Sequence, residues 1–189
     1  MLKTILRLLP VQVICSAGLF VTVQCAMPLV VAAGTSGFDF RWDTDKDFRK
    51  LYYYISSSKA SDRSTYYLVL SPKDRNTSIL KLAISVPKEF DSVFDPNQIK
   101  LCYMSKGSVT TKTQCQQTLP SVVEVSKDNG SIEIFPNQPV PVGRTIGVHI
   151  EVTNPYNPGM YQFNALAQAP GDIPISGYLG SWVIDIGPN

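Results

Sequence analysis

The sequence predicts an all-β protein: an immunoglobulin-like antiparallel β-sandwich, preceded by a signal peptide and a short N-terminal helix. Three observations carry this. From Thr65 onward the apolar residues recur at every second position, the period of half-buried strands. The runs are short, up to nine in number, and separated by Pro, Gly, Asn and Asp turns. Gly159-Met160-Tyr161-Gln162-Phe163 has the Gly-x-Tyr-x-apolar spacing found where a sandwich strand leaves its turn. A chain of 189 residues, 44% hydrophobic and 17% charged, has enough apolar surface for one folded domain and too little charge for disorder.

Residues 1–33 read as an export signal. Lys3 and Arg7 make a positive start, and Leu8 to Ala33 carries no charge. Val31-Ala32-Ala33 ends on the small residue that a leader peptidase prefers, so cleavage is expected after Ala33. An uncleaved membrane anchor is the alternative, since an uncharged stretch of 26 residues is long enough to span a bilayer. Pro10, Gln12, Gln24 and Pro28 interrupt that stretch and argue against it. Gln24 before Cys25, where a small residue belongs, argues against a lipoprotein. Without Lys3 and Arg7 the 17 basic residues become 15, equal to the 15 acidic ones. A near-neutral chain carries no basic footprint for nucleic acid and no polybasic membrane patch.

Residues 34–63 form an N-terminal extension, and 64–189 the sandwich. Phe38 to Trp42 alternates apolar and polar and suits a short strand or an extended arm. Thr44 then caps a helix of about three turns, with Phe48, Leu51, Tyr52 and Ile55 at i, i+3, i+4, i+7. Strands are expected over Thr65–Leu70 and over Ser78–Val86, the latter with Leu80, Leu82, Ile84 and Val86 on one face. Pro87–Asn97 holds a short helical turn. Ile99–Met104 and Thr110–Gln116 are partner strands carrying Cys102 and Cys115. Val122–Val125 and Ser131–Phe135 flank Asp128-Asn129-Gly130, a hairpin turn. Three prolines keep Pro136–Gly143 out of any central strand. Thr145–Val152 alternates most cleanly, with Ile146, Val148, Ile150 and Val152 on one face and His149 and Glu151 on the other. Met160–Ala167 and Tyr178–Ile186 complete the set.

Cys15 and Cys25 fall in the leader, leaving Cys102 and Cys115 as an even pair in an exported chain, which reads as a disulfide. The structural corner is assigned to Tyr161, whose hydroxyl is expected to bond upstream backbone. Phe163 stands where an immunoglobulin domain has its second Cys. No metal site is expected, because two thiols and one distant imidazole do not make a ligand set. Asp43, Asp45 and Asp47 resemble the start of a calcium loop, but Phe48 and Tyr54 occupy the positions that need Gly and Glu. Tyr52-Tyr53-Tyr54 and Tyr66-Tyr67 are aromatic clusters, some core and some available to a sugar or a protein. Tyr52, Tyr53, Tyr66 and Trp182 are the candidates for such a contact surface. Asn76-Thr77-Ser78 and Asn129-Gly130-Ser131 fit the glycosylation pattern, without meaning in a bacterial source.

The order of motifs adds a lineage. Thr65-Tyr66-Tyr67-Leu68, Leu80-Lys81-Leu82-Ala83-Ile84, Val86-Pro87, Phe90 and Pro139-Val140-Pro141-Val142-Gly143 come first. Asn154-Pro155, Gly159-Met160-Tyr161-Gln162-Phe163, Ala169-Pro170-Gly171-Asp172 and Tyr178-Leu179-Gly180-Ser181-Trp182 follow. Together, over residues 65–186, they resemble the exported cyanobacterial family catalogued as domain of unknown function 2808. The resemblance implies a cyanobacterial source and a periplasmic, lumenal or envelope location, and offers no catalytic residues. Cys102 and Cys115 are not a hallmark of that family.

Two functional readings follow. One is a non-enzymatic envelope or lumenal module, without a cofactor, that binds a protein or a glycan. It meets a membrane only through an uncleaved N-terminal segment. The other is a hydrolase using His149 with a nearby Ser or acid, although no Gly-x-Ser-x-Gly elbow is present. An accessory subunit of a membrane-associated complex is a third, with no direct sign in the sequence.

Overall fold

The computed structural model describes residues 48–108, 110–171 and 175–189. The export signal, the Phe38–Trp42 segment and the start of the helix expected from Thr44 lie outside them. Ten strands form two five-stranded antiparallel sheets, the all-β sandwich that the alternation predicts. The strands are β1 (Tyr53–Ile55), β2 (Arg63–Leu70), β3 (Lys81–Ser85), β4 (Ile99–Ser105), β5 (Gln114–Thr118), β6 (Ser121–Val125), β7 (Ser131–Pro136), β8 (Ile146–Thr153), β9 (Gly159–Gln168) and β10 (Ser176–Ile186). The first sheet runs β1-β2-β8-β4-β5, and the second β10-β9-β3-β7-β6. Among the described residues no helix is long and apolar enough to cross a membrane.

The inner faces follow from strand parity. Tyr66, Leu68 and Leu70 of β2, Ile146, Val148 and Ile150 of β8, and Leu101 of β4 are fully buried from the first sheet. Leu82 and Ile84, Ile132 and Ile134, Phe163, Trp182 and Ile184 meet them from the second. Burying each large side chain contributes about 1.5–3 kcal/mol. The hairpin at Asp128-Asn129-Gly130 forms as expected. Asn129 takes a left-handed conformation (φ 54°), and the Asp128 carboxylate accepts the Gly130 N–H at 3.2 Å.

Two elements differ from expectation. The helix is not formed over its described half, because Tyr53–Ile55 is strand β1, paired with Tyr66–Leu68 of β2. Leu51, Tyr53 and Ile55 point inward at every second position, while Phe48 is exposed. Sheet pairing overrides a helical spacing that those residues also satisfy. Leu80 leaves the core face and is exposed. Ile79 is buried instead, and exchanges two backbone hydrogen bonds with Val140 (3.0 and 2.8 Å) before β3 starts at Lys81.

The two sheets are tied by side chains as well as by apolar contact. Trp182 on the second sheet donates its indole N–H to the Val69 carbonyl on the first at 3.2 Å. Buried Asn154, just after β8, accepts the Tyr66 hydroxyl at 2.6 Å and donates to the Ser57 and Lys59 carbonyls at 3.0 and 2.7 Å. The segment ahead of β2 also runs beside β10. Leu51 N–H donates to Ser181 and Ser181 N–H to Arg49. Further along, Gly187 N–H donates to Ser58 and Ala60 N–H to Gly187, all at 2.7–2.9 Å. Both pairings are parallel, and they cover the edge that β10 would otherwise expose. Gly180 allows the first of them. It sits at φ +151°, and a Cβ there would stand 2.7 Å from the Arg49 carbonyl oxygen.

Candidate functional site

The outer face of the first sheet carries the densest set of unusual side chains. On adjacent strands Tyr54 pairs with Tyr67, Tyr67 with His149 and His149 with Lys100. Residues opposite one another share a face, so these four form a row across the strands. The Tyr54 and Tyr67 ring centroids are 6.0 Å apart, and those of Tyr67 and His149 are 5.2 Å apart, edge to face. The parity that sends Tyr66 and Leu68 into the core sends Tyr67 out.

The chain between β4 and β5 builds a wall beside this row. Cys102 and Cys115 are disulfide-bonded, with Cα atoms 5.5 Å apart, and close the base of that excursion. Thr113 is buried; its hydroxyl oxygen accepts the Gly107 N–H at 3.0 Å and shares a hydrogen bond with the Tyr52 hydroxyl at 3.1 Å. The Lys106 ammonium lies 4.5 Å from the Tyr52 ring centre, a cation–π contact. Met104 crosses the sheet over Gly147. A Cβ at that position would meet the Leu68 carbonyl oxygen at 2.5 Å and Met104 Cγ at 3.0 Å, so only glycine admits this packing. Because Lys106 and Thr113 are held against Tyr52, β5 begins four residues later than the sequence suggests.

The result is a groove of about 490 Å³ between Tyr52 and Tyr54 on one side and Ser108, Thr110, Thr111 and Lys112 on the other. Flat aromatic surface on one wall and hydroxyls on the other suit a ligand with both apolar faces and polar edges. His149 sits at the far end of the aromatic row. Burial pulls its pKa below 6.5; Glu151 opposes the shift and Lys100 adds to it. Its buried Nδ1 has no hydrogen-bond partner, and among the described residues no Ser or Asp side chain bonds to the ring. The hydrolase reading thus finds neither a hydrogen-bonded nucleophile nor an orienting acid at His149. Among the described residues no cluster of three or more His, Cys, Asp or Glu could hold a metal ion.

Of the contact residues expected from sequence, Tyr52 lines the groove. Tyr66 and Trp182 do not contribute to a surface: both are fully buried, a correction that follows from strand parity. Tyr53 turns toward the core, and its hydroxyl accepts the Asp185 N–H at 3.3 Å. Tyr54 and the Ser/Thr wall take their place. Tyr161 donates its hydroxyl to the Asn157 carbonyl at 2.6 Å, four residues upstream, and Phe163 is fully buried. The Phe90 ring stands edge-on to both, with centroids at 5.2 and 5.0 Å.

Residues 40–186 match the profile of the family described as protein of unknown function (DUF2808). The chain belongs to that family. No curated protein matches the chain. Solved structures similar to it include two β-domains. The crystal structure of BslA, a bacterial hydrophobin, is 15% identical with a TM-score of 0.48, over 74% of this chain and 98% of that one. The collagen-binding domain from a Staphylococcus aureus adhesin is 8% identical with a TM-score of 0.41, over 72% and 95%.

Proposed function

We propose that this domain is a non-enzymatic module that binds glycan chains through the outer face of its first sheet. The observation that carries the reading is the groove between Tyr52 and Tyr54 on one side and Ser108, Thr110 and Thr111 on the other, with the Tyr54–Tyr67–His149 row leading away from it. A sugar ring has an apolar C–H face and a rim of hydroxyls. Tyrosine rings supply rigid apolar area at low entropic cost, and Ser108, Thr110 and Thr111 supply exchangeable donors and acceptors. The place of action is outside the cytoplasm, in the periplasm, thylakoid lumen or cell envelope. The Cys102–Cys115 bond and the uncharged leader with its basic start support this.

The test is retention of the purified, disulfide-bonded protein on insoluble cell-wall polysaccharide, followed by calorimetry with soluble fragments. Tyr54→Ala is expected to weaken binding about tenfold, the loss of one stacked ring, while Tyr54→Phe stays close to the parent. Unchanged retention of a Tyr54→Ala/Tyr67→Ala double variant would refute the assignment. Retention on envelope proteins but on no polysaccharide would replace the glycan by a protein partner.

A further inference from the structure

The row that leads out of the groove runs straight across the first sheet. Tyr54 on β1 lies opposite Tyr67 on β2, Tyr67 opposite His149 on β8, and His149 opposite Lys100 on β4. Directly opposed side chains share a face, so the sheet presents these four in order, at the strand spacing of about 4.7–4.9 Å. The three rings follow one another at 6.0 and 5.2 Å, centre to centre. Steps of this size match consecutive pyranose units of an extended chain, so each ring meets a unit of its own.

The ring planes decide what kind of chain fits. Tyr54 and Tyr67 are tilted by 41° to each other, in keeping with platforms carried on a twisted sheet. A ligand lying flat on one ring must rotate before it lies flat on the next. A single chain rotates about its glycosidic bonds; one locked into a crystalline fibre surface does not. His149 is turned further, at 68° to Tyr67, and stands edge-on. Its Nδ1 is buried, so Nε2 is the ring nitrogen left to meet a sugar hydroxyl. Exposed Lys100 has no ion-pair partner among the described residues and offers a donor to the same unit.

We propose that the site takes a linear, β-1,4-linked glycan of at least three units, extended across the strands. The first unit stacks on Tyr54 in the groove, the second on Tyr67, and the third is hydrogen-bonded by His149 and Lys100. This rests on the glycan reading and narrows it to a single extended chain. An α-1,4-linked chain coils, so its successive units leave the line of the row.

Nuclear magnetic resonance of the isotope-labelled, disulfide-bonded protein tests it. The ligands are glucose and its β-1,4 oligomers up to the tetramer, the matching N-acetylglucosamine series, and maltotetraose. In one β-linked series the monomer should shift the amides of Tyr54 and Thr111, the dimer should add Tyr67, and the trimer His149. Affinity should rise about tenfold with the second unit and level off by the fourth, with maltotetraose no tighter than the dimer. Whichever series responds identifies the sugar. Tyr67→Ala should abolish the step from one unit to two, and His149→Ala the step from two to three, without weakening the monomer. Tyr67→Leu keeps apolar volume on the sheet and should lose the same step, which separates stacking from folding. Affinity independent of chain length, maltotetraose binding like the β-linked tetramer, or equal losses at every length in the variants would overturn the proposal. Each of these leaves the glycan reading standing, because sugar still binds. Silence toward every oligomer also overturns it, and polysaccharide retention then decides the glycan reading alone.

Discussion

Replacing Asn154 by alanine removes a buried polar side chain that makes three hydrogen bonds. It accepts from the Tyr66 hydroxyl and donates to the Ser57 and Lys59 carbonyls, joining β2, the end of β8 and the segment ahead of β2. The losses are unequal. The Ser57 carbonyl keeps the Ser64 hydroxyl as a second donor at 2.9 Å, and Lys59 keeps a longer bond from Asp62 N–H at 3.4 Å. The Tyr66 hydroxyl keeps nothing and is fully buried. Burial also pushes its pKa up, so it cannot escape by ionising. Stranding that hydroxyl costs about 1–3 kcal/mol, and weakening two carbonyl bonds adds about 1 kcal/mol, for a total near 3 kcal/mol. Equilibrium urea unfolding with the disulfide intact should show that loss, accompanied by a fall in Tm of roughly 10 °C. Tyr66→Phe removes the stranded group, so in a double-mutant cycle the pair should cost less than the sum of the two single changes. A loss under about 1 kcal/mol for Asn154→Ala, or strict additivity with Tyr66→Phe, would refute this account of the node.

Other perturbations separate the remaining features. Tyr161→Phe deletes the 2.6 Å bond to the Asn157 carbonyl while keeping the ring against Phe90, and should cost about 1 kcal/mol in a melting experiment; an unchanged Tm would remove the corner from the stabilising set. His149 has a folded pKa below its unfolded 6.5, so the unfolded chain binds more protons between the two values. Stability should therefore fall as pH drops below about 6.5 and level off once the folded pKa is passed, and His149→Gln should flatten that slope in denaturation curves from pH 7.5 to 5. Reducing Cys102–Cys115, whose residues are 13 apart in sequence, should cost about 3 kcal/mol and release the wall of the groove, so polysaccharide retention should fall even at temperatures where the sheets stay folded by circular dichroism.

Strand parity made most of the fold legible before any coordinates. The alternation in Thr145–Val152 reappears as β8 with His149 and Glu151 outward, and the Asp-Asn-Gly turn closes β6 onto β7. Parity failed where the chain breaks step. Ile79 and Leu82 both face the core although they are three positions apart, because the bridge to Val140 turns the chain between them. Phe48, Leu51 and Ile55 fit a helix by spacing, and only the presence of β2 as a neighbour decides for a strand. The site was less legible for a related reason. Tyr66 and Tyr67 are adjacent in sequence but face opposite sides, so only the register decides between them, and it buries Tyr66 and turns Tyr67 outward. The row Tyr54–Tyr67–His149 joins β1 and β2 to β8, some eighty residues further on, and the hydroxyl wall meets Tyr52 and Tyr54 from more than fifty residues away. Neither leaves a local pattern, because each is a product of cross-strand pairing.

The parallel pairing beside β10 has a mechanical consequence. At Lys50 and again at Lys59 the segment ahead of β2 bridges the final strand and the residue after it in the same direction. Tension applied between the two termini therefore pulls these neighbours past each other along their length. The four bonds linking them, at 2.7–2.9 Å, lie across the pull and share the load instead of opening one at a time. A domain held at its N-terminal end and dragged from its C-terminal end would resist rupture at this seam before either sheet is stressed. The bonds that cover an edge at rest thus make a shear lock under load.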